Sequence, residues 1–240
     1  MRDEGGVPQG VVCVHGAGGG GWEWGIWARV LGANGFDVLA PDLVAIDAGL
    51  AVTRFADYRA QVLAWCRGGG ERPILIGASL GGLLALAAAS DADPAALVLV
   101  NPLPPAGMDV QWPGAPHAPV IPWGRARSLA GTRRAMPDAD DAARLYAFRR
   151  WRDESGVALD EACAGVAIVP PHCPMLVLAS ERDADIPAAA SRTLAARLGA
   201  DFEMIAQASH VGPLLGRDAA RVAERCTDWL LARLAPRGAV

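Results

Sequence analysis

The chain has 240 residues, 52% of them hydrophobic and 20% charged, and a net charge of −4. That is enough for one domain with a large core, and the acidic balance leaves no basic field to attract nucleic acid. Five cysteines without a C-x-x-C pair argue against a disulfide framework, and the start MRDEGGVPQG lacks the basic and apolar regions of a secretory signal, so a cytoplasmic protein is expected.

Taken in order, Val11–His15 (VVCVH) reads as a first buried strand. Only about ten residues precede it, so no further leading strands are expected. A glycine loop, His15–Trp22 (HGAGGGGW), follows, and then a helix over 22–34. Trp22, Trp24 and Trp27 lie at i, i+2 and i+5, which does not make one helical face. They are expected to pack this helix, with Trp22 the candidate for a pocket wall.

A strand over 36–41 and a helix over 53–67 come next. Residues 73–90 (PILIGASLGGLLALAAAS) carry no charge over 18 positions, which meets a crude criterion for a membrane span. Three glycines, a serine and the β-rich ILI after Pro73 favour a buried strand, a tight turn and a buried helix instead, so no membrane association is expected. Further strands are expected over 97–100, 175–179 and 201–206, and helices over 187–199 and 217–235. The last helix carries apolar Ala220, Val222, Ala223, Cys226, Trp229, Leu230 and Leu234 at helical spacing.

Strand–helix alternation predicts an α/β fold, a doubly wound, mostly parallel sheet of six strands. The alternation stops at 102–170, where prolines are dense. One helix is predicted there, over 138–153, starting at Asp138 after Pro137 and carrying Leu145, Phe148 and Trp151. The segment is expected to cap a core formed by 1–101 and 171–240, within a single domain overall. It holds eight arginines from Arg125 to Arg152, and residues 102–165 hold eight acids. This balance predicts a solvated, salt-bridged surface.

Two stretches carry chemistry. Gly77-Ala78-Ser79-Leu80-Gly81 fits G-x-S-x-G, with a strand before it and a helix after it. A nucleophile on a strained strand-to-helix turn needs small flanking residues. The rival reading is a serine that merely caps the helix. The glycine loop after the first strand can aim backbone N–H groups at an anionic oxygen. A Walker-type phosphate loop would need a lysine, and the chain contains none: all 22 basic residues are arginine. Glycine spacings compatible with a dinucleotide loop, with Asp42 some 20 positions on, leave that reading open at this loop alone.

HGAGGGGWEW, then DVLAPDL, then GASLGG resemble the α/β-hydrolase superfamily, nearest to the group of plant methyl esterases and hydroxynitrile lyases and their bacterial relatives. The resemblance implies a nucleophile, an acid and a histidine in that chain order. It implies the α/β-hydrolase fold without its two leading strands. Ser79 would be the nucleophile and His210, in the loop after the sixth strand, the base. The acid would be Asp183, because the superfamily's spacing resembles D-x-x-x-P ahead of Pro187. Glu181 and Asp185 are alternatives on the same loop, Asp185 also as a helix cap. The amides of Ala17 and Leu80 would form the oxyanion hole. The lyases of this group use a lysine just after the histidine; here Val211 stands there, which favours the esterase side. Haloalkane dehalogenases carry an aspartate nucleophile, which Ser79 is not.

The expected activity is therefore carboxylic-ester hydrolysis by a Ser-His-Asp triad, acting on a small-molecule ester or thioester. A thioesterase, a lactonase and a non-catalytic binding protein are the alternatives. Trp22, Trp112, Trp123 and Trp151 are candidates for substrate contact. No metal and no cofactor is expected, and a homodimer is left open.

Overall fold

A computed structural model describes residues 9–68, 71–108 and 116–235. The first half runs β1 (Gly10–Val14), α1 (Gly25–Ala33), β2 (Asp37–Leu39), α2 (Phe55–Gly68), β3 (Ile74–Ala78), α3 (Leu80–Ala92) and β4 (Ala96–Val100). The segment between β4 and the fifth long strand holds β5 (Val120–Ile121), α4 (Leu129–Ala135), α5 (Asp141–Phe148), β6 (Glu154–Ser155) and α6 (Gly156–Ala164). The chain then returns through β7 (Met175–Ser180), α7 (Ala188–Leu198), β8 (Asp201–Ile205), α8 (Gly212–Leu215) and α9 (Ala219–Leu234).

The six long strands form one parallel sheet in the order β2-β1-β3-β4-β7-β8. The four central strands are apolar up to Ser180 at the end of β7 because both faces are covered. Successive residues alternate between two cores. Val12, Val14, Leu75, Leu97, Leu99 and Val177 pack with residues of α2, α3 and α7. Val11, Cys13, Ile74, Ile76, Val98 and Leu178 pack with residues of α1 and α9. Trp24 and Trp27 are fully buried in the second core, edge to face, so they pack α1 as expected. The run over 73–90 is β3, a turn and α3, and Leu80–Ala89 of α3 are buried all round. No helix among the described residues is long and apolar enough to cross a membrane.

The segment after β4 departs from its reading. Among the described residues it holds three helices rather than one, and a short antiparallel pair β5–β6. The expected helix over 138–153 is α5, residues 141–148 only. Asp140 caps it, its carboxylate accepting the Ala143 N–H at 2.7 Å. Asp138 is drawn away to accept the Ser209 N–H and Oγ–H, at 2.8 and 2.6 Å. Trp151 lies past the helix end and donates from Nε1 to Thr132 Oγ1 at 3.0 Å. The arginine–acid balance does produce ion pairs, such as Arg125–Asp153 and Arg144–Asp141. Glu154 and Ser155, however, are buried, 4% and 0% exposed, so this part of the segment is not a solvated surface.

Candidate active site

All six strands of the sheet run the same way, and the loops at their C-terminal ends meet on one side. Open parallel sheets place ligand sites there. Ser79 follows β3 directly, with φ 54° and ψ −121°. A non-glycine residue held at positive φ costs about 1–3 kcal/mol. Ser79 occupies the N-cap position of α3 but makes no side-chain cap hydrogen bond, so the helix-cap reading does not account for its hydroxyl.

The glycines of the motif answer to close approach. A Cβ on Gly77 would lie 2.2 Å from the Gly81 carbonyl oxygen, and one on Gly81 would lie 2.3 Å from the Val14 and His15 carbonyls. Gly82 packs against Pro102 and Gly16 against Ser79 itself, their Cβ positions 2.8 Å and 3.1 Å from those side chains.

The loop after β7 carries Asp183, whose side chain is 1% exposed. Its Oδ2 lies 2.7 Å from His210 Nδ1. Its Oδ1 accepts the N–H groups of Asp185 and Ile186, each at 2.8 Å. The other two acids of the loop are placed differently. Glu181 accepts from Gln207 N and Nε2, and Asp185 does not cap α7, whose N-cap is Pro187. Geometry thus singles out Asp183 as the histidine's partner.

Ser79 and His210 are tied to consecutive residues of one strand end. The Ser79 N–H donates to the Val100 carbonyl at 3.0 Å. Asn101 Nδ2 donates to the His210 carbonyl at 2.6 Å and to Ser180 Oγ at 2.8 Å, while its Oδ1 accepts the Ser180 N–H at 2.7 Å. Asn101 is 2% exposed and also sits at positive φ, 43°. Burial pulls the His210 pKa down, but the hydrogen bond and charge of Asp183, with Asp185 and Glu23 nearby, outweigh it and leave the imidazole above its ordinary value.

The glycine loop is held from three sides. His15 is buried; its Nε2 accepts the Leu43 N–H at 2.8 Å, so Nδ1 carries the proton and donates to the Gly16 carbonyl at 2.8 Å. Burial drives its pKa down to about 4, and a neutral ring with both nitrogens engaged is a strut, not a base. From the segment after β4, Glu154 Oε2 accepts the Gly18 N–H at 2.9 Å, and the Arg152 N–H donates to the Gly18 carbonyl at 2.8 Å. Glu154 Oε1 accepts from Tyr58 Oη at 2.7 Å and from the Ser155 N–H. From beneath, the buried Glu23 carboxyl lies against Gly19 and takes the Gly16 and Gly20 amides. Burial pushes the Glu23 pKa up to about 8 despite those amides and the His210 charge, so it is neutral at pH 7. The Ala17 and Leu80 N–H groups donate to no other group among the described residues.

A cavity of about 500 Å³ opens beside this loop, lined by Ala17, Gly18, Trp123, Trp151 and His210 among others. Trp123 and Trp151 thus reach the site. Trp22 stands behind, edge-on to Trp151 at 5.3 Å, and Trp112 lies outside the described residues. Asp183, Asp185 and His210 offer ligand atoms within 4.8 Å of one another. Both Asp183 oxygens are already engaged, so a cation there would have to displace the histidine.

Sequence reasoning missed Glu23, Asn101, Asp138 and Glu154. Each works through a partner distant in the chain or through burial, and none belongs to a local motif.

Comparison with known proteins agrees with this architecture. The model of the alpha/beta hydrolase family matches residues 11–225. None of the curated proteins matches the chain. Among solved structures, the chain is similar to tomato methylketone synthase I in complex with 2-tridecanone, at 16% identity over 95% of this chain and 100% of that one, TM-score 0.73. It is similar to a pyrethroid hydrolase from Sphingobium faniae, at 22% identity over 93% and 98%, TM-score 0.70. It is similar to a polyneuridine aldehyde esterase, at 17% identity over 92% and 100%, TM-score 0.68.

Proposed function

The chain belongs to the alpha/beta hydrolase family, and from that membership and the geometry of its loops we propose that it is a serine hydrolase that cleaves small carboxylic esters through an acyl-enzyme. The observation that carries the reading is the Asp183–His210 bond of 2.7 Å, on a carboxylate fixed by two amides, with Ser79, held at φ 54°, and His210 both tied to the end of β4. Structural similarity to a pyrethroid hydrolase and a polyneuridine aldehyde esterase is consistent with it.

In this mechanism His210 Nε2 takes the Ser79 proton as Oγ attacks the ester carbonyl, and the carbonyl π pair moves to oxygen. The Ala17 and Leu80 amides stabilise that oxyanion; one such donor is worth about 10²–10³ in rate. Collapse expels the alkoxide, which receives the proton from His210. Water then repeats the cycle on the acyl-enzyme, and the free acid leaves with Ser79 restored. Asp183 holds the Nδ1–H tautomer and stabilises the imidazolium.

The test is covalent labelling joined to turnover. A fluorophosphonate should modify Ser79, and Ser79→Ala should abolish both labelling and p-nitrophenyl acetate hydrolysis. Turnover that survives in Ser79→Ala defeats the proposal. Tight ligand binding without turnover in the unaltered protein would point to a binding protein instead.

A further inference from the structure

Of the eight arginines from Arg125 to Arg152, four are paired with acids: Arg125 with Asp153, Arg133 and Arg144 with Asp141, and Arg152 with Asp42. Arg150 lies over the Tyr146 ring at 3.6 Å. Arg127 and Arg134 meet no carboxylate among the described residues, and both line the cavity that holds Ala17 and His210. Both are exposed at the rim of the cavity. Arg127 is fixed by a 2.5 Å hydrogen bond from Nη1 to the Gly124 carbonyl, with its guanidinium carbon 5.7 Å from the Phe148 ring centre. Arg134 Nη2 lies 3.8 Å from the Cβ position of Gly131, another residue of the cavity wall. The one acid in that wall is Asp185, whose carboxylate stands with Asp183 and His210.

Resting on the ester-hydrolase reading, we infer that the substrate is an ester whose non-reacting end carries a carboxylate, received by Arg127 and Arg134. Two guanidinium groups in an otherwise largely apolar cavity are the donors that planar carboxylates pair with. With Asp185 included, the wall carries a net charge of +1 while His210 is neutral, so one added negative charge brings it to zero. Asp185 repels that charge from the histidine end, which orients the ester bond toward His210 and the carboxylate toward the arginines.

The experiment compares related esters with and without the charge. Mono-p-nitrophenyl glutarate is set against p-nitrophenyl valerate for a carboxylate on the acyl side, and 4-acetoxybenzoate against phenyl acetate for one on the alcohol side. In the unaltered protein at least one charged member should exceed its neutral partner in kcat/KM by about tenfold, the size of one exposed charge-assisted bond. That ratio should shrink when the ionic strength is raised and fall to about one in Arg127→Gln/Arg134→Gln. It should persist in Arg149→Gln, a cap arginine outside the cavity wall. A ratio at or below one in both pairs, or one that survives the double substitution, overturns the inference. Ser79-dependent turnover of the neutral esters without preference overturns the inference alone; no turnover of any of the four takes the ester-hydrolase reading with it.

Discussion

Glu23→Gln separates the charge of a buried group from its shape. The Glu23 carboxyl is 4% exposed beneath the glycine loop, with the Gly16 and Gly20 amides, His210 and Asp42 as its polar neighbours. Its pKa rises from an ordinary 4.5 to about 8 on folding. The folded protein therefore holds a proton that the unfolded chain releases above pH 4.5, and stability falls as pH rises through that window. Linkage between the two values gives a loss of about 3 kcal/mol from pH 5 to pH 8. Glutamine cannot ionise, so the variant should lack this loss, although it sacrifices one amide contact at every pH, a constant offset of about 1 kcal/mol. Urea unfolding of both proteins at pH 5, 6, 7 and 8 measures the difference in slope, and contributions shared by both proteins cancel. Activity should follow: above pH 8 an ionised Glu23 opposes the developing oxyanion, so kcat/KM of the unaltered protein should decline there and that of Glu23→Gln should not. Parallel stability curves for the two proteins would refute the claim that this carboxyl is buried neutral.

Three further outcomes follow from the site. Because the His210 pKa is raised and the base must be neutral, the acid limb of kcat/KM should fall above pH 6.5; Asp183→Asn should lower that limb and cut kcat by about 10⁴-fold, and an unmoved limb would count against the pairing. Asp138→Ala should free the Ser209 loop beside His210 and lower kcat by about 10–100-fold while the fold is retained, checked by kinetics beside circular dichroism. Gly81→Ala places a Cβ 2.3 Å from two carbonyl oxygens of the β1 end, and thermal unfolding should reveal a loss of about 1–3 kcal/mol or more, since backbone cannot move aside cheaply.

The sheet was legible because its central strands are buried on both faces and so read as unbroken apolar runs. Ser79 was legible because its turn admits only small neighbours, which leaves a glycine signature. Asp183 could be preferred over Glu181 and Asp185 only by resemblance, since spacing alone left three acids on one loop; the Asp183–His210 geometry separates them. Glu154 and Asp138 could not be read. They bond to residues 136 and 71 positions away, and no local pattern reports such a pairing. In the sequence they counted as two of eight solvated acids. The overlong α5 has a related cause: Leu145, Phe148 and Trp151 keep helical spacing although the helix stops at Phe148, because Trp151 turns to the cavity.

The double tie between Gly18 and the 152–154 stretch, amide to Glu154 and carbonyl from Arg152, makes the end of the segment after β4 and the glycine loop one mechanical piece. The 152–154 stretch cannot move away without bending the glycine loop that it grips. The wall that α4 gives the cavity, from Gly131 to Ala135, is outside this tie. Transplanting this segment from a relative would carry the same condition: unless residues 152–154 travel with a matching glycine loop, a graft meant to reshape the cavity would also disturb the loop beside Ser79.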